Sequence, residues 1–215
     1  MSEAKPIAAL YVETGGCYFG LEGVDPWDEV RDARLYNGPH PVVAHPPCKR
    51  WGRYWFGGPS AKVRYERPGM DGGLFADALD KVRRFGGVLE HPEASHAWRH
   101  FGLTPPPKTG GWVRADWPRF DGWTCCVEQG HYGHRARKAT WLYAVGCELP
   151  SLKWGKAEGK VRLDPGFHSS EERAAARALG HAPQHRLTSE ERLATPAPFR
   201  DVLVSMARSV EVSNG

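Results

Sequence analysis

Val42-Val43-Ala44-His45-Pro46-Pro47-Cys48 is a short apolar run that stops at two prolines and a cysteine. Such a run closed by a Pro-Pro stop reads as a buried strand over 41–45, because proline donates nothing to a ladder and fixes its own φ. The prolines then hold Cys48 at the strand's C-terminal end, the edge where open α/β sheets place chemistry. The Gly-rich, basic and aromatic segment Lys49-Arg50-Trp51-Gly52-Arg53-Tyr54-Trp55-Phe56-Gly57-Gly58 comes directly after it. A cysteine of this kind is commonly a small buried hydrophobe; in this setting the thiol reads as placed to attack.

Outward from that strand, Ile7 to Val12 reads as a first buried strand, with a turn and short helix over Glu13 to Leu21. Leu74, Phe75, Ala78, Leu79, Val82 and Phe85 recur at helical spacing, so a helix over 73–85 feeds a strand over 87–90 that ends in Glu90-His91-Pro92. Trp123 to Glu128 and Ala139 to Val145 read as two more strands, joined by the basic loop Gln129 to Lys138. Composition shifts near Leu149-Pro150. Beyond it, Ser169-Ser170-Glu171-Glu172 and Thr188-Ser189-Glu190-Glu191 fit capping boxes, and a last helix begins around Pro198 with an apolar stripe read as packing. Strands alternating with helices predict a three-layer α/β fold with a mostly parallel sheet. The division expected is an α/β domain over 1–150 and a helical C-terminal extension over 151–215 packing on it.

The 215 residues are 40% hydrophobic, enough for one substantial core, and carry a formal charge of +4 that suits an anionic partner without requiring one. No apolar run approaches the roughly 18 residues of a membrane span, and Met1-Ser2-Glu3-Ala4-Lys5 lacks signal-peptide form, so a cytoplasmic protein without membrane contact is expected. Five cysteines, an odd number with Cys125 and Cys126 adjacent, argue for reduced thiols. Adjacent cysteines chelate one tetrahedral ion poorly, so Cys125, Cys126, His131 and His134 are not read as a zinc site. His96 and His100 lack a His-Glu-x-x-His order and read as a solvated helix; no metal is expected. Between 50 and 72, Arg50, Arg53, Lys62, Arg64 and Arg67 outnumber Glu66 and Asp71 in a long loop of the kind that is usually functional. With nine tryptophans and seven tyrosines in the chain, Lys49, Arg50, Trp51, Arg53, Tyr54, Lys62 and Arg64 are candidates for phosphate contact and base stacking.

Together these motifs resemble the cytosine-5 DNA methyltransferase family, as a reduced and divergent member of the sort phage and other mobile elements carry. Cys48 in Ala44-His45-Pro46-Pro47-Cys48 matches the family's Pro-Pro-Cys nucleophile motif. Glu90 in Leu89-Glu90-His91-Pro92 is similar to its Glu-Asn-Val motif, and Arg135-Ala136-Arg137 to its Gln-x-Arg-x-Arg motif, here without the Gln and with Lys138 as an alternative anchor. Thr14-Gly15-Gly16 with Gly20-Leu21-Glu22-Gly23 resembles the Gly-rich opening that binds S-adenosylmethionine, although Glu13 stands where its first glycine belongs. Only 30 positions separate Gly16 from Pro46, too few for the family's extra strands with acidic ends, so Asp25, Asp28 or Asp32 would stand in for those carboxylates. The order along the chain agrees over roughly 7–146. The resemblance implies a Rossmann-like architecture and a DNA partner. It also implies S-adenosylmethionine held by Thr14, Gly15, Gly16 and Pro46, and catalysis by Cys48, Glu90, Arg135 and Arg137.

The chemistry explains the residue types. Carbon-5 of cytosine is a poor nucleophile until a thiolate adds at carbon-6 and turns the ring into an enamine. A carboxyl group at the N3 edge relieves the developing charge best if partial burial keeps it protonated, and arginines beside the thiol would lower its pKa. The base must leave the duplex stack to be reached. As an exposed strand-end carboxylate, Glu90 would add little to stability. Two other readings fit the same residues: thiol addition to a pyrimidine with a different electrophile or a nucleotide substrate, and a catalytically degenerate nucleic-acid-binding or anti-restriction module.

Overall fold

A computed structural model describes residues 4–52, 55, 56, 62, 64–158, 161, 163, 170–180 and 187–211. The strands are β1 (Ile7–Leu10), β2 (Val24–Trp27), β3 (Val42–Ala44), β4 (Gly87–Pro92), β5 (Val113–Arg114), β6 (Gly122–Glu128) and β7 (Ala139–Val145). The helices are α1 (Leu74–Phe85), α2 (His96–His100), α3 (Ser170–Leu179), α4 (Ser189–Leu193) and α5 (Ala197–Arg208). The seven strands form one sheet in the order β2-β1-β3-β4-β7-β6-β5.

The sheet is mixed, which corrects the expectation of a mostly parallel one. β2, β1, β3 and β4 run parallel, whereas β7 is antiparallel to β4, β6 to β7 and β5 to β6. The reason lies in loop length. The ten-residue connection 129–138 is shorter than the dozen or more residues a parallel crossover takes, so β7 returns beside β6 in the opposite direction. That return has a consequence for the site: Pro92 pairs with Thr140, so the loop before β7 arrives at the C-terminal end of β4.

Alternation along the parallel strands divides the core in two. Ala8, Leu10, Val42, Ala44 and Leu89 pack with Phe75, Ala78, Leu79 and Val82 of α1, while Ile7, Ala9, Val43 and Val88 pack with Phe199, Leu203, Met206 and Ala207 of α5. The stripe on α5 is therefore core. Gly87 lets β3 and β4 approach: its φ is +119°, and a Cβ there would lie 2.0 Å from the Val42 carbonyl oxygen.

Local chemistry accounts for the other differences. Turns replace the short helix expected over 13–21, with Gly15 and Gly20 at positive φ. β2 carries Pro26, which conceals it as a strand in sequence and suits its place at the sheet edge. α4 begins at the expected capping box, in which the Thr188 side chain accepts from the Glu191 N–H and the Glu191 carboxylate from the Thr188 N–H. Ser169, the expected cap of α3, lies outside the described residues. α2 presents exposed His96 and His100 around buried Ala97 and Trp98.

Candidate functional site

The ends of β1, β3 and β4 lie side by side, and the segments leaving these strands converge on one edge of the sheet. Past β3, the Cys48 carbonyl accepts from the backbone N–H groups of Trp51 and Gly52 at 3.0 and 2.9 Å, turning the chain sharply after the thiol. Trp51 anchors this turn. It is 2% exposed, packs on Phe75 and Phe101, and donates Nε1–H to Asp71 at 2.7 Å. The expectation that Trp51 stacks on bases is thereby corrected: its ring is spent on the core.

Glu90, past the middle of β4, is the hub of a hydrogen-bonded network. Its Oε2 lies 3.0 Å from Nδ1 of His45, and its Oε1 accepts from Nε2 of Gln129 at 3.2 Å. The Gln129 amide also donates to Thr140 Oγ1 at 2.9 Å, and His45 Nε2 meets the Tyr18 hydroxyl at 2.7 Å. Burial works to raise the Glu90 pKa, but the hydrogen bond and charge of His45, with Lys138 and His91 adding, bring it down to about 2. Glu90 is thus a resident carboxylate rather than the protonated acid expected.

The Cys48 thiol moves the other way. Burial and then the Glu90 charge raise its pKa, and Lys138 only partly opposes them. At rest Cys48 is a neutral thiol, not the arginine-activated thiolate the sequence suggested. The arginines among the described residues are engaged elsewhere. Arg50 stacks 3.3 Å from the Tyr65 ring centroid, Arg135 pairs with Glu191 at the start of α4, and half-exposed Arg137 lies 4.0 Å from Glu128. Lys138 is the cation felt by both Cys48 and Glu90, and its Nζ donates to the Leu193 and Ala194 carbonyls at 2.9 and 2.7 Å.

The glycine turn after β1 forms the neighbouring part of the edge. Thr14 Oγ1–H donates to Asp28 at 2.8 Å, Gly16 N–H to the Glu13 carbonyl at 2.9 Å, and Gly15, at φ +68°, has open space where a Cβ would stand. Of the three aspartates considered, Asp28, just past β2, joins this turn. Asp25 holds Arg31 and the Trp27 indole, and Asp32 holds Arg34. Pro46 is buried, while Glu13, Lys49, Lys62 and Arg64 are exposed. Arg53 and Tyr54 lie outside the described residues.

The structure therefore unites Cys48, Glu90 and Lys138 and directs Arg135 and Arg137 to other partners. Sequence reading missed Tyr18, His45 and Gln129. The available signal was position: His45 ends the β3 run and Gln129 opens the loop that returns to β4. Among the described residues no helix is long and apolar enough to cross a membrane, and no group of three or more His, Cys, Asp or Glu side chains could hold a metal ion. No protein-family model, curated protein or solved structure matches the chain.

Proposed function

We propose that this chain is a pyrimidine-modifying enzyme of cytosine-5 DNA methyltransferase type, with Cys48 as the covalent nucleophile and Glu90 as the proton carrier at the base edge. One observation carries the reading: a neutral thiol lies within the field of a carboxylate held ionised, at adjacent parallel strand ends. The pair holds the one proton that addition to a pyrimidine needs. As sulfur bonds to carbon-6, its proton passes to Glu90, the C5–C6 electrons move to form C4–C5, and N3, taking the C4–N3 electrons, receives the proton from Glu90. The adduct is neutral, its carbon-5 is an enamine carbon, and Glu90 is a carboxylate again. Lys138 steadies the sulfur as its charge develops.

The parallel half of the sheet, with α1 and α5 packing its alternate side chains, supports a three-layer Rossmann-like architecture. The turn after β1 fits S-adenosylmethionine in charge and access: Gly15 leaves the backbone reachable, and exposed Glu13 offers a carboxylate to a cationic ligand, while buried Asp28 braces the turn through Thr14. Thr14, Gly15 and Gly16 would hold it, and Pro46, which the resemblance also assigned to it, is buried. When bound, S-adenosylmethionine supplies the electrophilic methyl group. The exposed cations Lys49, Lys62 and Arg64 support contact with DNA phosphates.

Mass spectrometry of DNA nucleosides from cells producing the wild-type chain or Cys48→Ala tests the proposal. A modified cytosine present only with the wild type is the expected result. DNA binding with no altered base in either would make the chain a binding module.

A further inference from the structure

Tyr18 and His45 have no part in the reaction proposed for Cys48 and Glu90, yet both are built into its site. They come from different loops, after β1 and at the end of β3, and their side chains join end to end onto Glu90. An ionised carboxylate only accepts, so the 3.0 Å contact requires the proton of a singly protonated His45 ring to sit on Nδ1. Nε2 then carries a lone pair, and the 2.7 Å contact requires Tyr18 to be the donor. Tyr18 is buried, and burial keeps its hydroxyl protonated. With the ring neutral, each contact fixes the direction of the next: Tyr18 O–H to His45 Nε2, His45 Nδ1–H to Glu90 Oε2, with Gln129 Nε2–H on Glu90 Oε1 from the other side; when the ring takes a second proton, Nδ1–H still faces Glu90 and its charge adds to the hydrogen bond.

We propose that Tyr18 and His45 are positioning residues that hold Glu90 charged and fixed in orientation, so that it takes up a proton only when Cys48 gives one up. This rests on the proposed pyrimidine-modifying function. In a buried carboxylate without such donors, desolvation would win and the group would rest protonated, leaving nowhere for the thiol proton to go. The other charged or titratable groups acting on Glu90 are Lys138 from the loop before β7 and His91 on its own strand, while Cys48 feels its charge. Cys17, Arg200 and Asp201 act on Tyr18. His45 is the group that bonds to Glu90 and Tyr18 alike, and the Tyr18 hydroxyl leaves it one way to face.

The wiring is measurable without substrate. In protein labelled with 13C at the glutamate carboxyls, Glu90 is the signal absent from Glu90→Gln. In the wild type it should not titrate above pH 4. In His45→Ala its midpoint should rise by roughly two pH units or more, the usual reach of a lost hydrogen-bonding and charged partner in a desolvated site, and His45→Asn, whose amide can donate from the Nδ1 position but carries no charge, should recover the hydrogen-bond share of that shift. The 15N shifts of the His45 ring at pH 8 should report a single Nδ1–H tautomer, with an Nε2–H population appearing in Tyr18→Phe. A wild-type Nε2–H tautomer, or a Glu90 midpoint indifferent to His45→Ala, overturns the proposal, and a ring unaffected by Tyr18→Phe overturns the part given to Tyr18. If His45→Ala does not fold, the wild-type tautomer and His45→Asn still decide. In turnover, the acidic limb of kcat/KM should move up with the Glu90 midpoint. A network that titrates as described in a protein that modifies no base would overturn the proposed function and leave the wiring standing.

Discussion

Glu90→Gln is nearly isosteric, and read as an exposed strand end it would be silent in stability. The structure gives it a definite penalty. Glu90 has a pKa of about 2 in the fold against 4.5 for the free side chain. At about 1.4 kcal/mol per unit, this makes the ionised form worth about 3 kcal/mol of folding stability at neutral pH. A glutamine keeps one acceptor oxygen but turns an amide toward the other donor, so either His45 or Gln129 loses its acceptor. The lowered folded value sets the sign with pH. The contribution is complete above pH 4.5 and lost as pH falls toward 2, shrinking to about 1 kcal/mol at pH 3. Urea unfolding monitored by tryptophan fluorescence reads this directly. At a slope of about 2 kcal/mol/M, the midpoint of Glu90→Gln should lie roughly 1.5 M below wild type at pH 7, with most of the gap closed at pH 3. Equal midpoints at pH 7, or a gap that does not change with pH, would refute the ion-paired, largely enclosed Glu90 described here.

Burial holds His91 neutral, bringing its pKa down from 6.5 to about 4 against the weaker opposing pull of Glu90 and the Pro47 carbonyl. Because the unfolded state binds the proton first, wild type should lose about 2 kcal/mol between pH 7.5 and 5 that His91→Phe does not lose, read as the difference in urea midpoints. Gly87→Ala should cost about 3 kcal/mol or more, since its Cβ meets the Val42 carbonyl at positive φ, whereas Gly15→Ala, strained in backbone but free of contacts, should cost about 1 kcal/mol; thermal melts compare the two. Lys138→Met removes the cation that partly lowers the Cys48 pKa, so alkylation of Cys48 by iodoacetamide at pH 7.5, read by peptide mass mapping, should slow roughly threefold.

The strands that carry the site were legible because each is a short apolar run bounded by proline or glycine, and Cys48 and Glu90 stood out as their terminal polar groups. β2 was hidden by Pro26, since an edge strand does not need the patterning of a central one. The direction of β7 depended on how few residues joined it to β6, a constraint that periodicity does not express. At the site, residue type was readable and partner was not. Arg135 looked free to serve Cys48 until α4, far along the chain, placed Glu191 against it, and Lys138 filled the position instead. The charge states came out opposite to expectation for the same reason. Sequence shows that Cys48 and Glu90 are ionisable, but burial and a histidine aimed at the carboxylate decide which of them holds the proton.

Covalent capture on the base tests the central claim most directly. A DNA oligonucleotide containing 5-fluorocytosine, incubated with the protein and S-adenosylmethionine, blocks release because fluorine replaces the hydrogen that must leave carbon-5. The account predicts a denaturation-resistant protein–DNA adduct with wild type, attached at Cys48 by peptide mapping and absent with Cys48→Ala. No adduct with wild type, or equal capture by Cys48→Ala, would contradict it.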